Sequence, residues 1–209
     1  MANDRLINHT QGASIITALN NISSSLGNIN SSLGNNMSGI SNALWNISTT
    51  LDNIHSLLDI VDTGGWWVLH KYGELEIYRD GDMPDYYTPA LPPWDSHKAK
   101  IISVRFFGNV SVIGANAFNG CSELMEAGLP DNVTVIGAGA FQGCASLTRV
   151  GIPGSVTSIG TDAFNGCAAL ADVYYDGSAE DWSAVTIGSN NEPLTSANIH
   201  YNGGGGMMR

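Results

Sequence analysis

Charge is scarce in this chain, and what there is leans to one sign. Only 13% of the 209 residues are charged, and eight Lys and Arg face nineteen Asp and Glu, for a formal net charge of -11. The basic residues are scattered from Arg5 to Arg209 without clustering. A phosphate backbone needs a basic stripe, so no nucleic-acid partner is expected. Long apolar runs are missing as well. None approaches the roughly 18 to 20 residues that cross a bilayer, and the opening MANDRLINHTQGAS lacks the hydrophobic stretch of a secretory signal. No membrane insertion and no signal-dependent export are expected, and the chain should be made and first kept in the cytoplasm. Catalytic groups are equally sparse. Five His stand singly at positions 9, 55, 70, 97 and 200. No Ser or Cys has a base at motif spacing, and no phosphate loop or zinc signature occurs. The expectation is a protein without enzymatic activity, cofactor or metal.

What is present is pattern. From Leu19 onward apolar residues fall at Leu19, Ile22, Leu26, Ile29, Leu33, Met37, Ile40, Leu44, Ile47, Leu51, Ile54, Leu58 and Val61. The spacings alternate three and four, the seam of a coiled coil. Ile29, Leu33 and Met37 give two fours in a row, a stutter that unwinds the supercoil locally without ending the helix. Leu at a with Ile at d favours three or more strands, so the chain is expected to partner itself as a homotrimer. The remaining faces are Asn, Ser, Thr and Gly, which give little intrinsic helix stability, so the stalk should form only by assembling. A disordered linker and a membrane-surface helix are the alternatives. The first has no reason to keep a seam for about six heptads, and the second needs basic residues, which are absent between Arg5 and Lys71.

Asp62-Thr63-Gly64-Gly65 should stop this helix. Period-two runs follow, Trp66 to Tyr72 and Glu74 to Tyr78 around Gly73, and read as a hairpin collar. Two adjacent Trp there would cover the end of the coiled coil, with a carbohydrate platform as the sharper alternative. Asp80, Asp82 and Asp85 are spaced like part of a calcium loop, but the Gly and the closing Glu of that pattern are missing, so they read as a turn. Pro84, Pro89, Pro92 and Pro93 make an extended segment ending at Trp94.

The strongest signal is an internal repeat. KIISVRFFGNVSVIGANAFNGCS from Lys100, ELMEAGLPDNVTVIGAGAFQGCA from Glu123 and SLTRVGIPGSVTSIGTDAFNGCA from Ser146 abut at a period of 23 residues. Each carries Ile-Gly, then Ala-Phe, then Gly-Cys. Strand portions follow at Ile101, Val104, Phe106; Leu124, Ala127, Leu129; Leu147, Val150, Ile152; and Leu170, Val173, Tyr175. One such unit cannot bury its apolar side alone, so the units must stack into a solenoid with a ladder of short parallel strands and a buried column of Phe. Cys121, Cys144 and Cys167 recur at one repeat position and read as a column of small buried hydrophobes with free thiols, neither a disulfide nor a metal site. The segment from Ala169 to Asn202 relaxes the pattern as a terminal cap does. Residues between core positions face outward: Ile102, Ser103 and Arg105; Met125, Glu126 and Gly128; Thr148, Arg149 and Gly151; Ala171, Asp172 and Tyr174. These are the candidate ligand face, with Ile102, Ser103, Arg105, Met125, Glu126, Thr148, Arg149, Asp172 and Tyr174 as its contact residues.

From Gly73 to Tyr201 the chain resembles the BspA-type leucine-rich repeat family. The resemblance rests on VTxIGxxAFxGC in the repeats, with Ser111 in place of the Thr in the first, on Met83-Pro84-Asp85-Tyr86 and Pro93-Trp94 before them, and on Val173-Tyr174-Tyr175-Asp176-Gly177-Ser178, Trp182 and Ile199-His200-Tyr201 after them. It implies surface adhesion through a bacterial surface glycan or protein, without catalysis. The chain departs from that family in having few repeats and neither an export signal nor an anchor. Its first 80 or so residues, with the Asn/Ser-rich stalk and WWVLHKYGELEIY, are similar to small fibre proteins of tailed bacteriophages. That second resemblance implies a virion location, release by lysis without a signal, and an N-terminus docked on another virion structural protein.

The expected architecture is α+β with the two kinds of structure segregated. It comprises an attachment segment (1–13), a trimeric coiled-coil stalk (14–63), a β-hairpin collar and N-terminal cap (64–99), three leucine-rich repeats (100–168), a capping repeat (169–202) and a flexible Gly-rich tail (203–209).

Overall fold

The computed structural model describes Ser24 and residues 60–201. The attachment segment, the stalk seam from Leu19 to Leu58 and the Gly-rich tail lie outside the described residues. By its contacts the chain divides into two compact units, residues 1–72 and residues 73–209.

In the first unit, strand β1 (Ile60–Gly64) runs antiparallel to β2 (Trp67–His70) across the two-residue loop Gly65-Trp66. This corrects the sequence reading at one boundary. Val61 was expected as the last seam residue of a helix reaching residue 63, and it lies on a strand instead. The β-branched pair Ile60-Val61 favours extended backbone once a strand partner is near, and the apolar run Trp67-Val68-Leu69 supplies that partner. The heptad spacing runs through Val61 because a three-four pattern and a strand share that residue. The ladder slips by one between Ile60 and Asp62. At its closing pair the Trp67 indole lies over Gly64, where a Cβ would stand 2.1 Å from Nε1. Trp67, Val68 and Leu69 are buried.

In the second unit each repeat forms one coil with a longer strand, a short strand and a pair of tight turns. The longer strands are β3 (Glu74–Tyr78), β4 (Ser103–Phe107), β6 (Glu126–Gly128), β8 (Arg149–Pro153), β10 (Asp172–Asp176) and β12 (Asn198–Tyr201). They form a parallel sheet in the order β3-β4-β6-β8-β10-β12. β3, expected as the return strand of the collar, is the first rung of this sheet. The short strands β5 (Val112–Ile113), β7 (Val135–Ile136), β9 (Ser158–Ile159) and β11 (Thr186–Ile187) form a second parallel sheet. The C-terminal solenoid with short parallel strands is therefore as the repeat pattern predicts.

Between the sheets, the repeated side chains stack in columns. The rings of Phe118, Phe141 and Phe164 lie nearly parallel at centroid spacings of 5.2 Å, and all three are fully buried. Cys121, Cys144 and Cys167 are buried and unpaired. The Cys144 thiol donates to the Phe118 carbonyl at 3.2 Å, and that of Cys167 to the Phe141 carbonyl at 3.1 Å. The Gly of each Ile-Gly pair marks where one coil touches the next. A Cβ on Gly137 would stand 2.5 Å from the Ala115 backbone nitrogen, and one on Gly160 equally close to that of Ala138. Two residues on, Asn116, Gly139 and Asp162 all take positive φ of 56 to 62°, so this repeat position accepts only residue types that tolerate the left-handed region.

Both ends of the stack are closed by side chains that imitate a missing coil. Inside it, the Phe118 N–H donates to the Ala140 carbonyl at 2.7 Å and the Phe141 N–H to that of Ala163 at 2.8 Å. At the N-terminal end Trp94 stacks on Phe118 at 5.7 Å, and its indole N–H donates to the Ala117 carbonyl at 3.0 Å, in place of a preceding backbone N–H. At the C-terminal end the Asn191 side-chain oxygen accepts the Phe164 N–H at 2.9 Å, in place of a following carbonyl. The Asn191 amide N–H groups reach the carbonyls of Gly160 and Gly188. The Asp82 and Asp85 carboxylates accept from the Ser111 hydroxyl and the Ala115 N–H, and that of Asp80 from the Asn109 N–H, so these three acids serve the first coil as cap residues. Helix α1 (Ala179–Ala184) opens on a Ser178–Asp181 capping box and α2 (Glu192–Thr195) follows the last short strand. Among the described residues no helix is long and apolar enough to cross a membrane.

Candidate ligand-binding face

Alternation along each long strand puts Val104, Ala127, Val150 and Val173 inside and their neighbours outside. The parallel register then aligns the outward residues in rows across the sheet. One row reads Glu74, Ser103, Glu126, Arg149, Asp172, Asn198. Two residues further along, buried Glu76 pairs with Arg105, and Gly128, Gly151, Tyr174 and His200 pair in turn on the following strands. Before the first row, Ile102, Met125, Thr148 and Ala171 are joined by backbone bonds from each N–H to the carbonyl one repeat earlier. Ile102 and Met125 are exposed there, at 39% and 52%. All nine expected contact residues thus stand on or at the edge of one face.

The structure pairs most of the charges on this face. Arg105 Nε lies 2.6 Å from a Glu74 carboxylate oxygen, and Arg149 Nε donates to Glu126 at 2.7 Å. His200 meets Asp172 at 2.8 Å, and its ring stacks on Tyr174 at 4.6 Å and 14°. These pairs are partly exposed, and each is worth well under about 1 kcal/mol to stability; they fix orientation more than they hold the fold. At the N-terminal edge the Tyr78 hydroxyl donates to the Glu76 carboxylate at 2.7 Å, while its ring stacks on Phe107. Burial first, then that bond, push the Tyr78 phenol above its usual range.

Glu74, Tyr78 and His200 belong to this face, and sequence reasoning missed them; Glu76 stands in the same row as Arg105 but is buried, at 2%. The signal was available: Glu74 and Glu76 alternate with buried Leu75 and Ile77, and His200 follows Ile199 with the same parity as Tyr174 follows Val173. Thr148, by contrast, turns its hydroxyl back to the Met125 carbonyl at 3.1 Å. Among the described residues no group of three or more His, Cys, Asp or Glu is placed to hold a metal.

Residues 96–202 match the BspA type leucine rich repeat region, in six copies. The chain belongs to this family. No curated protein matches it. Solved structures similar to the BspA-type chain include the following three. A leucine rich cell surface protein of Faecalibacterium prausnitzii A2-165 is 25% identical over 57% of this chain and 40% of its own length, with a TM-score of 0.41. A leucine-rich repeat protein of Eubacterium ventriosum is 25% identical over 60% and 42%, at 0.41. The leucine rich repeat protein of Treponema pallidum is 26% identical over 62% and 65%, at 0.42. The chain spans less than two thirds of each of these proteins.

Proposed function

We propose that this BspA-type chain is a non-enzymatic adhesion module that binds a bacterial surface ligand on the outer face of its long-strand sheet. One observation carries the reading. Inward positions repeat nearly unchanged from coil to coil, whereas the outward positions vary, from Ser103 to Glu126, Arg149 and Asp172 in one row, and from Arg105 through Gly128 and Gly151 to Tyr174 in the next. Stacking needs the first set alike, and nothing in the fold needs the second set to differ. A surface with freely chosen side chains on a rigid ladder is suited to recognition.

The test uses fluorescently labelled full chain and its triple variant Arg105→Ala, Arg149→Ala, Tyr174→Ala on a panel of intact bacterial cells. The wild type is retained by at least one strain; the triple variant unfolds at the same temperature but is not retained. Equal retention of both would reject this face.

The heptad seam supports a second, finer reading: a homotrimeric fibre on a tailed-phage virion, docked through residues 1–13 on another virion protein, whose three tips gain avidity from simultaneous contacts. A bacterial surface protein is at least as consistent with membership of the repeat family. Absolute mass from light scattering gives three times the chain mass if the seam trimerises, and a monomer would reject the fibre in either setting. Immunolabelling of uninfected cells separates the settings, since only the bacterial protein is found there.

A further inference from the structure

We infer that the face contains a shallow trough for a neutral pyranose unit, floored by Gly128 and Gly151. This inference rests on the proposed adhesive face and names the ligand class that the face accepts. The two glycines pair side by side on β6 and β8. Arg105 stands one repeat before Gly128, and Tyr174 is paired to Gly151 on the far side. β4 and β10 are three strand spacings apart, about 14 Å, and across that span no side chain rises from the glycine row. The trough is therefore open over two rungs, with Tyr174 as its wall at one end.

Its walls suit a sugar. His200 covers one face of the Tyr174 ring, at 4.6 Å, and Asp172 holds the imidazole at 2.8 Å. The other face of the phenol ring is turned toward Gly151, a flat apolar surface that pre-set packing keeps in place, against which the C–H face of a pyranose can stack. Along one side runs the Glu126–Arg149 pair, two residues before the glycines, and beyond Gly128 the next strand carries Arg105, paired to Glu74. Guanidinium donors and carboxylate acceptors thus alternate around the rim, matching hydroxyl groups that both donate and accept. A protein partner would want a deep apolar pocket for a buried anchor, and a glycine-floored trough offers none. Charge selects within the sugars. The carboxylates of Glu74, Glu126 and Asp172 outnumber the guanidiniums of Arg105 and Arg149, and the chain carries a net charge of -11. Uronic and sialic acids are therefore disfavoured against neutral hexoses and N-acetylhexosamines.

The experiment applies the full chain to an array of neutral hexose and N-acetylhexosamine oligosaccharides with their uronic-acid counterparts, then titrates the best binder. Neutral oligosaccharides are retained. Gly151→Thr, which plants a branched side chain on the floor, and Tyr174→Ala, which removes the stacking wall, each weaken binding about tenfold or more, while Tyr174→Phe stays within a few-fold of wild type. Thermal unfolding checks each variant, and if Gly151→Thr fails to fold, the Tyr174 pair decides alone. Retention of acidic sugars only, or undiminished binding by both Gly151→Thr and Tyr174→Ala, overturns the trough. No neutral sugar retained, while cells still hold the wild type and release the triple variant, overturns the sugar and leaves the face standing. Cell retention unchanged in the triple variant removes the face itself.

Discussion

Single side chains close this fold, and Asn191 shows how much one residue can carry. It is 3% exposed and serves the Phe164 N–H and the carbonyls of Gly160 and Gly188 at once. Asn191→Ala takes the partner from the Phe164 N–H and the Gly188 carbonyl, at about 1–3 kcal/mol each where water cannot reach them, while the Gly160 carbonyl keeps the Ala163 N–H. Asn191→Asp keeps the acceptor for Phe164 and should fall between, as urea unfolding will register. Phe141→Ala, in the middle of the aromatic column, should cost about 3–5 kcal/mol by the same assay. Buried acids set the alkaline limit. Burial pushes the Cys121 thiol from its ordinary value near 9 up to about 12, and the Tyr86 phenol from 10 up to about 12. Cys144 moves the same way, through the neighbouring Cys167 thiol and through burial. In each case the folded value is the higher one, so the stabilisation is fully present below the unfolded pKa values near 9 to 10 and is lost as pH rises toward 12. The urea midpoint should hold steady up to about pH 9 and fall beyond it. At pH 8 the native thiols, all three buried, should ignore a thiol reagent that labels them in urea, because the reagent cannot reach them in the folded stack. Labelling without urea would mean that the coils open.

At the scale of elements, contact between coils depends on the Ile-Gly pairs. Gly137→Ala drives a methyl group into the Ala115 backbone and should cost about 1–3 kcal/mol or more. Gly65→Ala, where nothing lies within 4 Å of the added carbon, is the matched control, and equal midpoints for the two would refute the close approach. The long strands, the Phe column and the buried Cys were legible because a 23-residue period repeats the same physical demand at each coil. The glycines stood in that repeat without their reason, since a spacing pattern does not reveal how near the next backbone comes. Strand β1 was hidden because Val61 satisfies both a heptad and a strand. The caps were legible as segments, 64–99 and 169–202, but the closing bonds of Trp94 and Asn191 were hidden, because imitating backbone groups leaves no periodic trace. Most of the candidate face followed from alternation alone. Its ion pairs did not, because Arg149 and Glu126 meet only through the register of neighbouring coils.

For the whole molecule the account makes one central claim, that ligand meets the long-strand sheet rather than the turns or the cap loops. Hydroxyl-radical footprinting of the labelled chain, free and bound to the cells that retain it, tests this without altering a residue. Met125 and Tyr174 report on the face, while Tyr87 and Leu91, exposed at 57% and 53%, report on the loop before the repeats. The account predicts that oxidation of Met125 and Tyr174 drops on binding while Tyr87 and Leu91 react as before. Protection of Tyr87 and Leu91 with Met125 and Tyr174 unchanged would contradict it.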